Sequence, residues 1–268
     1  MGPLGANYHQ SVPPASAFSR VDEQPTYRAA LVYKPRSSGS IYFDYGTSFN
    51  PSAESLSLSA ATANLPPEKN RTFEVGSKWE LGAGQSSLRA ALFRTEKTNA
   101  REPDPTNPVL NVLSGNQRVD GFELEGRGSL TRHLKLMSSY ALLDSKLVSS
   151  QYYPAAVGAR LTNVPENTFT SWTTYDLPRK LEVGGGAQYV GSRTARSTVP
   201  LDPTTHLVKE LPGYWLFSAM AKYPIAERLD LQLNLYNLTN KYYYDEIHPA
   251  HIVVGAGFTV LLGVNFRF

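Results

Sequence analysis

Apolar and polar residues alternate along most of the chain. In the last segment Phe258, Val260, Leu262, Val264, Phe266 and Phe268 fall on one side, and Thr259, Leu261, Gly263, Asn265 and Arg267 on the other. Leu229, Leu231, Leu233 and Leu235 alternate with Asp230, Gln232, Asn234 and Tyr236. The same rhythm runs through Phe73, Val75 and Trp79, through Phe122 and Leu124, and through Ile41, Phe43 and Tyr45. Successive side chains of a strand point to opposite faces, so period two predicts strands with one apolar and one polar face. The pattern places strands at roughly 27–34, 40–48, 70–80, 86–96, 115–130, 134–145, 167–176, 181–191, 213–223, 229–239 and 257–267, about eleven in all. Most have near the ~9–11 residues that a tilted strand needs to cross a bilayer.

The connections sort by length. Short ones fall at roughly 35–39, 82–85, 131–133, 178–180 and 224–228, and long ones at about 49–69, 97–114, 146–166, 192–212 and 240–256. Short and long alternate, as in an antiparallel transmembrane β-barrel with tight turns at one end and long loops at the other. A soluble sandwich would bury each apolar face against a second sheet and has no reason to sort its loops. Opposite charges on the polar face, such as Glu123, Glu125 and Arg127, suit a wet lumen. No fixed repeat beyond the hairpin rhythm points to a solenoid.

Composition narrows the function. Hydrophobic residues make up 41% of the 268, and no apolar run reaches the ~18 residues of a transmembrane helix. A mean hydropathy of −0.32 suits a barrel, in which only alternate residues face lipid. The 16 tyrosines favour membrane–water boundaries. With no cysteine there is no disulfide scaffold and no thiolate site. A net charge of +3 without a basic stripe gives no case for nucleic acid. There is no nucleophile elbow and no phosphate-binding loop, so the expectation is a protein that is not an enzyme and needs no cofactor. The five histidines are scattered; His248 and His251 have only Asp245 and Glu246 nearby in sequence, too little for a metal site. Residues 1–19 carry no secretion signal and read as a loop remnant or linker, with residues 20–268 as the barrel; the expectation is that upstream sequence is missing. Gly184, Gly185 and Gly186 interrupt a strand, which suggests a bulge or the close approach of another backbone.

Several segments carry a family resemblance. Leu233-Asn-Leu-Tyr-Asn-Leu-Thr-Asn-Lys-Tyr-Tyr-Tyr244 and the terminal Leu262-Gly-Val-Asn-Phe-Arg-Phe268 resemble the closing strands of a TonB-dependent siderophore receptor. Tyr27 to Pro35, Phe73 to Glu80 and Val119 to Gly126 resemble the same family in the same order. His248-Pro-Ala-His251 followed by Gly255-Ala-Gly257 is similar to the subgroup that takes up catecholate-type ferric siderophores, although Phe258 stands where members usually carry an Arg or similar polar residue.

The resemblance implies the second half of a 22-stranded barrel, with the N-terminal plug absent. It implies a bacterial outer-membrane receptor and transporter, energised by TonB through that plug; a passive porin-like channel or a nonfunctional receptor-gene remnant are the alternatives. The implied partners are ferric siderophore, outer-membrane lipid and the barrel-assembly machinery, with Phe266 and Phe268 as the assembly signal. An anionic, flat-faced ferric catecholate calls for Arg and Lys for charge and for Tyr or His for stacking. The candidates in the long loops are Arg101, Tyr152, Tyr153, Arg160, Arg193, Arg196, His206, His248 and His251, with Lys97 and Tyr243 beside them. The Tyr242–Tyr244 run, just past a strand end, reads as an interface girdle.

Overall fold

The computed structural model describes residues 21–51, 66–82, 84–103, 111–195, 209–247 and 252–266. Within them each expected strand is present and hydrogen-bonds to its neighbour. They are β1 (Arg28–Arg36), β2 (Gly39–Asn50), β3 (Glu68–Leu81), β4 (Ser86–Pro103), β5 (Asn111–Ser129), β6 (Leu134–Ser150), β7 (Asn167–Asp176) and β8 (Glu182–Val190). After two short strands, β9 (Arg193–Thr194) and β10 (Glu210–Leu211), come β11 (Tyr214–Ala226) and β12 (Leu229–Tyr236). Another short pair, β13 (Tyr244–Ile247) and β14 (Ile252–Val254), precedes β15 (Thr259–Phe266). Eleven strands form one antiparallel sheet in the order β1-β2-β3-β4-β5-β6-β7-β8-β11-β12-β15. Its short turns lie at one end and its long connections at the other. The pairs β9–β10 and β13–β14 are small hairpin stems within the long connections.

Direct cross-strand partners share a face, so the register assigns every position. Leu31 pairs with Phe43, Phe43 with Val75, Val75 with Leu92, Leu92 with Phe122 and Phe122 with Leu142. Leu231, Leu233 and Leu235 pair with Val264, Leu262 and Val260. These side chains form a continuous apolar carpet, and many stand exposed. On the opposite face Tyr42 donates to Glu74 at 2.5 Å, Arg89 reaches Glu74 at 3.2 Å, and Arg28 meets Asp44 at 3.1 Å. Lys222 pairs with the buried Asp230 there at 3.5 Å. A sheet that is wet and charged on one side and aliphatic on the other suits lipid outside and water inside.

The register also gives the slope of the strands. One row of paired residues runs Tyr33, Ile41, Ser77, Ala90, Leu124, Tyr140, Phe169, Tyr189 and Trp215. It starts at Tyr33, near the short-turn end of a strand closing at Arg36, and finishes at Trp215, near the long-loop end of a strand closing at Ala226. That is a climb of about eight residues over about eight inter-strand gaps. At ~3.4 Å per residue and ~4.8 Å per gap the tilt is roughly 35°, which lies in the range needed to close a barrel.

Three strands run farther than their alternation predicts. Above Leu92, Phe122 and Leu142 the apolar face turns charged. Arg94 pairs with Asp120 and Asp120 with Asp144, and the next row holds Arg71, Glu96, Arg118 and Lys146. Backbone pairing continues through both rows, so β4 and β6 continue to Pro103 and Ser150, and β5 begins at Asn111. The carpet thus ends within two residues, and the hairpins project beyond it into water. A register shift near Asn99, where φ is 57°, is a bulge of the kind that bends a strand and sharpens its local twist.

Gly184, Gly185 and Gly186 form no bulge, since the registers to β7 and β11 run through them unbroken. The close approach comes from the adjacent strand, by side chain and backbone together: a Cβ on Gly186 would stand 2.3 Å from the Trp172 ring and 2.6 Å from the Ser171 carbonyl. β12 stops at Tyr236, earlier than its pattern predicts, because Asn237 takes a φ of 49°. The Asn237 amide then bonds the Lys241 and Ala256 carbonyls and accepts from the Lys241 amide. Asn240, with φ 48°, accepts from the Phe258 amide at 3.0 Å. These two asparagines tie the end of β12 to the start of β15. Both tolerate a left-handed backbone better than most residues.

Candidate functional site

Among the described candidates, two groups form at the long-loop end. The first surrounds Glu68, which opens β3 and is buried. Its carboxylate accepts from the Arg101 amide at 3.0 Å, from Lys97 at 3.3 Å and from Asn50 at 3.3 Å. Burial pushes this carboxyl up, but the Arg101 amide, the Lys97 ammonium and the Asn50 amide outweigh it and hold its pKa below the ordinary glutamate value. The Arg101 guanidinium donates to the Pro51 carbonyl at 3.0 Å. Arg101 and Lys97 therefore anchor the top of the β2–β3 and β4–β5 hairpins to each other.

The second group lies in the connections at 151–166, 191–213 and 237–258. Ser150 donates to the buried Glu102 at 2.7 Å and accepts from the Tyr153 amide at 2.8 Å. Tyr153 packs on a small core of Leu147, Ala156 and Leu161, while Tyr152 is exposed. The Arg160 guanidinium donates to the Ser192 carbonyl at 2.8 Å and faces Glu210 at 3.8 Å. Arg160 thereby joins the first of these connections to the second.

Arg193 is the centre of the group and is only 5% exposed. Its guanidinium donates to the Tyr244 carbonyl at 2.7 Å, to the Asp245 carbonyl, and to the Asn163 side-chain oxygen at 3.4 Å. It lies over the Tyr214 ring, 5.7 Å from its centroid. Tyr214 packs on Tyr243 with ring centroids 4.6 Å apart and planes tilted by 41°, and Tyr243 covers Gly255, where a Cβ would come within 2.0 Å of the ring. Guanidinium, two phenol rings and a bare glycine thus form a single column. Burial and the nearby Asp245 raise the Tyr243 pKa, so the phenol stays protonated. The Tyr242–Tyr244 run is therefore not a uniform girdle: Tyr242 is exposed, but Tyr243 packs inward, because the turn at Asn237 and Asn240 breaks the strand's pleat.

Around this column, Ala195, Leu211 and Ile247 form a buried apolar cluster with Tyr244 and Ile252 against it. It holds the stem β9–β10 to the stem β13–β14. Arg196, His206, His248 and His251 lie outside the described residues, as do Phe268 and residues 1–19. Phe266 ends β15, paired with Leu229 and exposed. Below the column a groove on the polar face is lined by Trp172, Gln188, Tyr236, Asn237 and Tyr243.

Sequence reasoning singled out Arg160, Arg193 and Tyr153 by residue type. It missed Glu68, Asn163 and Tyr214. Tyr214 carried one usable signal, its place after Pro212-Gly213 at the head of a strand.

Comparison with known proteins fits this geometry. The sequence model of the family "TonB dependent receptor-like, beta-barrel" matches residues 4–238. The chain is 36% identical over 257 residues to the probable TonB-dependent receptor BfrD of Bordetella pertussis, covering 93% of this chain and 34% of that protein. It is 29% identical to the catecholate siderophore receptor Fiu of Escherichia coli, over 90% of this chain and 32% of that one. The crystal structure of the siderophore receptor PiuA from Acinetobacter baumannii superposes with a TM-score of 0.79 at 34% identity, covering 91% of this chain and 36% of that one. The closed form of Fiu gives 0.75 at 28% identity, covering 91% and 35%. The chain spans about a third of the length of the relatives it matches. With a lipid-facing carpet, a charged opposite face, a barrel tilt and these relatives, the chain belongs to the TonB-dependent receptor β-barrel family of the outer membrane.

Proposed function

We propose that this chain forms part of the barrel wall and the extracellular loops of a receptor that takes up a ferric siderophore of the catecholate type. The observation that carries the reading is the group of aromatic and cationic side chains in the long loops of a chain 29–36% identical to BfrD, PiuA and Fiu, two of them named as siderophore receptors. A ferric tris-catecholate is anionic and bounded by aromatic faces. Guanidinium groups offset its charge, and tyrosine rings stack on it. In this reading Tyr152, Arg196, His206, His248 and His251 meet the complex. Arg101, Tyr153, Arg160 and Arg193 shape the surface that presents them.

Transport involves no covalent step. Energy reaches the barrel from TonB through a plug in the full-length receptor, and the Phe266 edge strand offers its backbone to the barrel-assembly machinery by strand addition. The test is binding of ferric tris(2,3-dihydroxybenzoate) to the intact receptor purified in detergent, alongside conductance in planar bilayers. Saturable binding with a closed barrel is expected. Steady ion conductance without binding would replace the receptor reading with a passive channel.

A further inference from the structure

We infer that Arg193 is a positioning residue that locks three extracellular loops into one body, and that it serves ligand capture without touching the ligand. This rests on the receptor reading above for its purpose, but not for its geometry. A surface arginine waiting for an anion has free donors and is wet. Arg193 is 5% exposed, and its Nη1 and Nη2 are spent on protein oxygens of two other connections: Asn163 in one, and Tyr244 and Asp245 in the other; its Nε is buried away from water and from any anion. The Tyr214 ring closes its remaining face.

Independent bonds run alongside. The Asn163 amide donates to the Thr194 carbonyl at 2.9 Å, and the Ala195 amide to the Lys209 carbonyl at 2.9 Å. The Ala195–Leu211–Ile247 cluster then presses the two hairpin stems together. A guanidinium is suited to this post. It is planar and always charged, and it presents several donors in fixed directions, so it can satisfy carbonyls from different segments at once. A lysine supplies the same charge at a single point, with three donors but without the planar, fixed fork that spans these oxygens. Through the Tyr214–Tyr243 ring contact the column also reaches the lumenal groove beneath. A shift of any one loop is therefore felt by the other two.

The test uses the intact receptor in detergent, with Arg193→Met and Arg193→Lys. Amide hydrogen exchange is measured with no ligand present. Exchange at Tyr244–Ile247 and Ile252–Val254 is expected to quicken by about tenfold or more in both variants, with β3 to β6 unchanged. Binding of ferric tris(2,3-dihydroxybenzoate) is expected to weaken about tenfold in both, from lost preorganisation. Unchanged exchange in Arg193→Met overturns the inference whatever the ligand. Binding kept by Arg193→Lys but lost in Arg193→Met also overturns it, since charge alone would then suffice. Quickened exchange in a receptor whose wild type binds no ferric catecholate upholds the brace and sinks the proposed function instead. Tyr214→Leu, which removes the ring beneath the guanidinium, tests the same coupling if Arg193→Met fails to insert.

Discussion

Asn237 and Lys241 bond to each other twice: the Lys241 amide donates to Asn237 Oδ1 at 2.8 Å, and Asn237 Nδ2 donates to the Lys241 carbonyl at 2.9 Å. The same Nδ2 reaches the Ala256 carbonyl at 3.0 Å. One side chain thereby closes a turn and staples it to the approach of the last strand. Asn237→Ala is expected to cost about 2–3 kcal/mol, since it removes three hydrogen bonds made by a buried side chain and leaves at positive φ a residue that tolerates the left-handed region less well than asparagine. Asn237→Asp keeps the acceptor but sets an oxygen against two carbonyls, and should be no better. Urea unfolding of the intact receptor in detergent measures both.

The carpet and the lumen respond oppositely to charge. Leu124 faces lipid and its neighbour Glu125 faces the lumen. Leu124→Arg should cost about 2–4 kcal/mol, the price of a cation near the bilayer midplane. Glu125→Gln should stay within about 0.5 kcal/mol. Folding into vesicles of stated lipid, titrated with urea, separates the two. Equal costs would mean that the faces have been assigned wrongly.

Acid should loosen the top of the first hairpins. The Glu68 pKa is depressed in the folded protein, so the unfolded chain binds more protons wherever the two differ. Its contribution is therefore full above the ordinary glutamate value of roughly 4.3 and is lost as pH falls through the lower folded value. The protection of the Arg101 amide, which Glu68 holds, should fall over that acid interval once exchange is referred to the intrinsic rate at each pH. Glu68→Gln should exchange faster at neutral pH and lose the acid dependence.

Gly186 has no room for a side chain. Its added Cβ would meet the Trp172 ring at 2.3 Å and the Ser171 carbonyl at 2.6 Å. Gly186→Val should destabilise by about 1–3 kcal/mol through overpacking. Trp172→Ala in the same protein should recover only part, because the carbonyl remains. Thermal unfolding followed by tryptophan fluorescence suits the single variant, and circular dichroism suits both.

The eleven strands were legible because lipid on one side and water on the other write a period-two pattern into each of them. Their upper ends were not. Arg94, Asp120 and Asp144 sit on the carpet's own face, where the bilayer has ended, and water accepts both faces. Alternation disappears there although pairing does not, so Pro103 and Ser150 could not be foreseen as strand residues. The site divided in the same way. Arg193 stood out as a cation in a long loop. Its partners Asn163 and Tyr244 lie 30 and 51 residues away along the chain, and such contacts leave no local trace. The asparagine-rich turn after β12 supported recognition of the family, yet its work in the structure is to hold the chain's path.

The sheet of the described residues has eleven strands, an odd number, and in an antiparallel sheet this makes β1 and β15 run in the same direction. A direct seam between them would be parallel, unlike every other seam in the wall. A second copy rotated about the membrane normal meets the same mismatch at both joins. A complement that restores antiparallel pairing on both sides must bring an odd number of strands, with its outermost two pointing the opposite way. Parity alone thus screens what can seal this wall against lipid, where each unpaired backbone group costs several kcal/mol.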